Sequence, residues 1–236
     1  MTKYFTKDTS LYGLERMMMS VPRFTPRHTG PVVLYQFRYR PQDVECVLCT
    51  QFRRRSCAAT ACLWLQERLE AGTASYSELV AACFQGLEHR PLKRRIAAVT
   101  AGKAPLSDSG REHRRRFEQW QSANGGPQRP GRVRNRWLAA LFLLTSGGEL
   151  WARAWSAVSW NGVDFSKITL RDMDPQDYAL YQAARSIYTG GLRITTAELV
   201  DEELVSDATF QLIVDAALIV RFGGAVLAAI WEGAPC

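Results

Sequence analysis

Residues 206–222 read Ser-Asp-Ala-Thr-Phe-Gln-Leu-Ile-Val-Asp-Ala-Ala-Leu-Ile-Val-Arg-Phe, and they decide the fold. Ser206 sets a hydroxyl ahead of a helical pattern, where it can accept from the orphan N–H groups of a first turn. Phe210, Ile213, Val214, Ala217, Leu218 and Val220 then fill most of the circumference of a 3.6-residue helix. A helix apolar nearly all round belongs inside a core, and other helices must surround it.

The segments on either side supply them. Asp174 followed by Pro175 starts a helix over residues 175–188, stopped by Gly190 and Gly191, and Thr195 or Thr196 caps a short one. Residues 133–145 form an apolar run closed by Gly147 and Gly148; residues 150–158 bring Trp151 and Trp155 to one face; Trp160-Asn161-Gly162 makes a tight turn. Nearer the N-terminus, residues 11–19 (LYGLERMMM) predict an amphipathic helix ending before Pro22, and residues 32–40 (VVLYQFRYR) a short strand or extended arm. Residues 60–69 predict a helix carrying Cys62, Leu65 and Leu69. Ser75 or Ser77 caps the next, to about residue 87, and Pro91 opens another that reaches Gly102. The turn-rich connector 101–110, the helix REHRRRFEQWQ and the Gly-Pro-Arg stretch 124–136 follow, the last being the best linker in the chain.

Four thiols lie within seventeen residues: Cys46-x2-Cys49, then Cys57-x4-Cys62. In a reducing compartment this spacing points to a tetrahedral structural zinc site, because four thiolates close the shell of a redox-inert ion and brace a loop-rich segment. A disulfide framework and unrelated buried thiols are the alternatives, and His89 could replace one ligand. Cys83, in a helical pattern, reads as a core residue, and Cys236 as an exposed terminus.

The net charge of +7 divides unevenly. Residues 1–136 hold 24 Lys+Arg against 11 Asp+Glu, a balance of +13, whereas residues 137–236 hold 6 against 12, a balance of −6. A basic half on an acidic one suits a polyanion-binding portion carried by a globular portion; the other possibility is that the halves face each other. Three clusters stand out: Arg53, Arg54 and Arg55 inside the Cys segment; Lys93, Arg94 and Arg95; and Arg111, Arg114, Arg115 and Arg116, continued by Arg129, Arg132, Arg134 and Arg136. Arginine at this density suits phosphate, since its planar fork donates two hydrogen bonds in fixed geometry; a solvated cationic face is the plainer reading.

Catalytic signatures are lacking. His28, His89 and His113 pair with no Cys or carboxylate in a recognisable motif, and no phosphate loop, His-Glu-x-x-His or Gly-x-Ser-x-Gly occurs. Asp172, Asp174 and Asp177 lack the EF-hand pattern and fit a negative first helical turn. Residues 1–10 hold no apolar signal core, and no run of eighteen apolar residues suggests a membrane span, so a cytoplasmic protein is expected.

From His113 to Phe222 the motifs REHRRRFEQW, SGGELW, WNGVDF, YTGG and SDATFQLIVDAALIVRFG follow one another. This part, a little under half of the chain, resembles an uncharacterised family of small helical proteins encoded on phages and integrative elements of Gram-positive bacteria. The resemblance implies a mobile-element protein of a bacterial cytoplasm, engaged in DNA handling, regulation or inhibition of host defence, for example of anti-CRISPR type. The expected architecture is mainly α: residues 1–104 as a basic, zinc-braced module with helices and a short strand or arm, residues 105–236 as a helical domain. The expected function is non-enzymatic binding of nucleic acid or a nucleoprotein complex. The alternatives are an adaptor for an acidic protein surface, and a nuclease or modifying enzyme without a recognisable motif.

Overall fold

Eleven α-helices lie among the described residues, which in the computed structural model are 10–20, 39–53, 56–57, 59, 61–101, 107–124 and 131–232. They are α1 (Tyr12–Met19), α2 (Leu65–Glu70), α3 (Tyr76–Cys83), α4 (Arg90–Thr100), α5 (Asp108–Asn124), α6 (Arg132–Leu144), α7 (Gly148–Ala154), α8 (Pro175–Thr189), α9 (Thr196–Val200), α10 (Asp207–Phe222) and α11 (Leu227–Glu232). Two antiparallel ribbons, β1 (Phe52–Arg53) with β2 (Ser56–Cys57) and β3 (Val158–Ser159) with β4 (Gly162–Val163), are the strand content there. The protein is mainly helical, as the periodicity predicts.

Two compact units divide the chain, Met1–Arg38 and Tyr39–Cys236. In the first, α1 exposes Leu11, Leu14, Met17 and Met18 and closes where the Ser20 hydroxyl donates to the Met17 carbonyl at 2.7 Å. The strand or arm expected over residues 32–40 lies outside the described residues but for Tyr39 and Arg40, which lead into a 3-10 turn at Pro41–Asp43.

The second unit is organised by α6 and α10. Residues 137–144 of α6 are buried without interruption, and no residue from 211 to 220 of α10 is exposed. The two helices pack on each other, and α8 lies against both. Caps fix the starts: Ser206 Oγ accepts from the Thr209 N–H at 3.3 Å, Asp174 Oδ1 from the Gln176 N–H at 2.8 Å, and Thr195 Oγ1 from the Glu198 N–H at 3.2 Å. Gly190, at φ 77°, ends α8 in the left-handed conformation that lets its N–H reach the Ser186 carbonyl.

Three expectations shift. The helix expected over 60–69 starts only at Leu65, leaving Cys62 ahead of it, and α3 ends at Cys83 where a turn through Phe84 and Leu87 takes over. The helix expected over 150–158 stops at Ala154; a 3-10 turn and the β3–β4 ribbon follow, so Trp155 stays 62% exposed while Trp151 packs on the core. The boundary expected at residue 104 also fails to divide the core. Leu69, Tyr76, Leu79, Val80 and Ile96 belong to the same cluster as Phe117, Trp137 and Leu218. The reason is size: α3 and α4 are only two to three turns long, and both pack against α10.

One stretch, Asp207–Glu232, is long and apolar enough to cross a membrane. Half of its apolar window is buried, and it is broken at Gly223 between α10 and α11. Its apolarity is that of a core helix.

Candidate metal centre and basic surface

A 3-10 turn at Cys46–Leu48 brings the Cys49 N–H to the Cys46 carbonyl at 3.0 Å, and the Phe52 N–H returns to the Cys49 carbonyl at 3.1 Å. The chain then enters the β1–β2 ribbon, where Cys57 stands opposite Phe52. Cys62 precedes α2. All four are free thiols, and all four line one cavity of about 1010 Å³, with Leu48, Trp64, Val80 and Ile96 among its apolar walls and Arg68, Glu78 and Lys93 among its polar ones. The donor set fits a structural zinc. The spacing as it stands is wider than coordination: among the described residues no three His, Cys, Asp or Glu are close enough to share an ion. His89 is not a wall of this cavity; its ring nitrogen accepts from the Leu92 N–H at 3.3 Å and caps α4.

Arg68 is fixed beside the thiols. It donates to Glu78 Oε1 at 2.6 Å and Oε2 at 3.1 Å, to the Thr73 carbonyl at 3.0 Å and to Cys62 Sγ at 3.8 Å. Glu78 also accepts from the Ser75 N–H at 2.9 Å in the capping box of α3. Burial works against its charge, but the hydrogen bonds from Arg68 and Ser75 hold its carboxyl below the usual range. Cys83, outside the group, points to the Ala217 carbonyl at 3.8 Å, and burial pushes its thiol up. Cys236 lies outside the described residues.

The three basic clusters are split by the fold. Arg53 is exposed on β1; Arg54, Arg55 and Arg129 lie outside the described residues. Lys93 and Arg94 are exposed on α4, but Arg95, expected on the same surface, is 6% exposed. Its guanidinium donates to the carbonyls of Leu199 at 2.8 Å, Asp201 at 3.2 Å and Val205, and to Asp207 Oδ1 at 3.1 Å, with Cζ 4.6 Å from the centroid of the Phe210 ring. Arg95 therefore leaves the set of surface cations: it ties a loop to α4.

Helix α5 is similar. Arg111 pairs with Asp108, Arg114 with Glu118 at 2.7 Å and Arg115 with Glu112 at 2.8 Å, all one helical turn apart. Arg116 turns inward and donates to the Thr145 and Ser146 carbonyls at 2.8 and 2.7 Å, satisfying the C-terminal end of α6. Arg132, Arg134 and Arg136 differ. They are exposed in the first turns of α6, whose N-cap is Gly131 at φ 75° without a side-chain cap, and no acidic residue occupies that first turn.

His113 is 3% exposed, with Nε2 at 2.8 Å from the Phe142 carbonyl and its ring against Phe142 and Trp231. Burial lowers its pKa to about 4, so it is neutral packing. His28 lies outside the described residues. Asp174 caps α8, and at Asp177 burial, then the neighbouring Asp174 and Glu149 carboxylates, push the carboxyl above its usual range. Sequence reasoning missed Arg68, Tyr76 and Asp215; Ser-x-x-Glu at Ser75 and Glu78 was the one readable signal among their neighbours. No family model, curated protein or solved structure matches the chain.

Proposed function

We propose that the protein is a non-enzymatic polyanion-binding protein that holds nucleic acid or a nucleoprotein complex. The observation that carries this reading is the start of α6. A helix N-terminus already bears a partial positive charge, and cations placed there repel it by about 0.3–1 kcal/mol each. Arg132, Arg134 and Arg136 crowd that end, exposed and with no carboxylate in the first turn. An arrangement that costs the free protein stability makes physical sense where an anion offsets it, and phosphate matches the arginine fork. Lys93, Arg94 and Arg53 add exposed cations on other elements. The carboxylate-paired arginines of α5 are secondary. The mobile-element resemblance gives the setting, and inhibition of a host defence complex of anti-CRISPR type is one form the activity would take.

The test is binding of the full chain to labelled duplex DNA across a salt series. Affinity should fall steeply with salt, and replacing Arg132, Arg134 and Arg136 together by Ala should weaken binding and flatten the log–log slope by about 0.9 per lost phosphate contact. The same change at Arg111, Arg114 and Arg115 should do less. Absence of binding at low salt, or an unchanged slope in the first variant, sinks the reading; capture of an acidic polypeptide but not DNA does so as well.

A further inference from the structure

We propose that Cys46, Cys49, Cys57 and Cys62 hold one zinc ion as a tetrathiolate, and that Arg68 is the positioning residue of its outer shell. This stands apart from the polyanion reading.

Three observations carry it. The first is placement: thiols from a 3-10 turn, a β-ribbon and the approach to α2 all line the same cavity, although no three of them stand within coordination distance of one point. The second is the missing core. Among the described residues from 39 to 64 none is buried, and Val47, Leu48, Leu63 and Trp64 are more than half exposed. Such a segment cannot hold itself together by apolar burial, and a metal cross-link is the usual remedy. The third is Arg68. Glu78 and the Thr73 carbonyl fix its guanidinium, and Nη1, which already donates to Glu78, also faces Cys62 Sγ at 3.8 Å. Four thiolates on one zinc carry surplus negative charge, and a fixed N–H donor to one sulfur offsets it and orients that ligand. On binding, each thiol gives its proton to solvent and its sulfur lone pair to the metal; no oxidant is involved. The Cys46–Cys49 turn and Cys57 must then approach Cys62, narrowing the cavity. Through Glu78 and its capping box, the metal becomes coupled to α3 and so to the core.

The full chain, purified under reducing conditions, should carry close to one zinc. Cobalt(II) titration should give the intense sulfur-to-cobalt charge-transfer and tetrahedral visible bands of four thiolates, weakened in Cys49→Ser. Arg68→Ala should lower zinc affinity by about tenfold or more in competition with a chelator and shift the charge-transfer band, with partial rescue by Arg68→Lys. A purely structural Arg68 would instead lower the melting temperature equally with and without metal and leave affinity and band unchanged. If Arg68→Ala proves unfolded, Glu78→Gln, which loosens the anchor and keeps the guanidinium, should give an intermediate loss of affinity. Failure to bind zinc or cobalt overturns the site. Binding by four sulfurs with affinity unaltered in the Arg68 and Glu78 variants overturns the role of Arg68 alone. Neither outcome touches the DNA titration above.

Discussion

Tyr76 Oη donates to Asp215 Oδ1 at 2.6 Å, joining α3 to α10 across 139 residues of chain. Both side chains are buried, at 3% exposure each, and Gln211 reaches the same hydroxyl from one turn earlier on α10. Burial, and then the neighbouring carboxylate, push the Tyr76 phenol far above its ordinary range, so it donates at any workable pH. Tyr76→Phe keeps the ring and removes the donor to a buried carboxylate. Urea unfolding should show a loss of about 1.5–3 kcal/mol. A loss below about 0.5 kcal/mol would mean that this hydrogen bond contributes little to the join.

Adjacent arginines on α4 should behave oppositely. Arg95→Ala strands carbonyls of the 199–205 loop and should destabilise the fold by about 2–3 kcal/mol, the Asp207 pair adding little because that carboxylate is 66% exposed. Arg94→Ala, at an exposed position, should leave the melting temperature nearly unchanged and act on DNA affinity. Thermal melts with the salt-series titration separate the two. Equal stability effects would remove the assignment of Arg95 as a loop anchor.

His113 gives the fold an acid-side weakness. Its pKa in the fold is about 4, against 6.5 for the free side chain, mainly because burial disfavours the charged ring. Below pH 6.5 the unfolded chain binds a proton that the folded chain does not take until about pH 4. Stability therefore falls as pH drops through that window, by about 3 kcal/mol in total from this group. Denaturant midpoints measured from pH 7 to 4 should show the fall, and His113→Phe should remove this group's part of the slope whatever its own absolute stability. An identical slope in the variant would place the acid sensitivity elsewhere.

A fragment beginning at Gly131 should not unfold cooperatively. It keeps α6 to α11 but loses α3 and α4, which cover α10, and α5, whose Phe117 is 1% exposed in the core. A fragment from Tyr39, where the second compact unit begins, should retain the full melting transition. Circular dichroism melts of the two decide this; a cooperative transition in the shorter one would place a domain boundary in the Gly-Pro-Arg stretch just before it.

Local chemistry wrote much of the fold into the sequence. Ser75, Asp174, Thr195 and Ser206 cap the helices their types predict, Gly190 ends one in the left-handed conformation that glycine adopts readily, and the apolar circumference of residues 207–222 is a core helix. Helix ends were less legible where a 3-10 turn competes, as after Cys83 and Ala154, because the competing conformations differ by little energy. The candidate site was legible as a list of thiols and cations, but not as a geometry. Composition makes Arg94 and Arg95 alike, and so Arg115 and Arg116; helical phase turns one of each pair outward and the other onto carbonyls that lie about one hundred residues on for Arg95 and about thirty for Arg116.

By itself, then, the sequence determined the helical class, the cap positions, the core helix and the residue types available for metal and phosphate, since these depend on side chains within a few positions of one another. The tertiary structure alone decided that α3 and α4 share a core with α10, that Arg68 faces Cys62, that Arg95 and His113 are interior groups, and that Arg116 turns onto the carbonyls after α6. Those outcomes follow from burial of apolar faces between segments far apart in the chain, which no local pattern encodes.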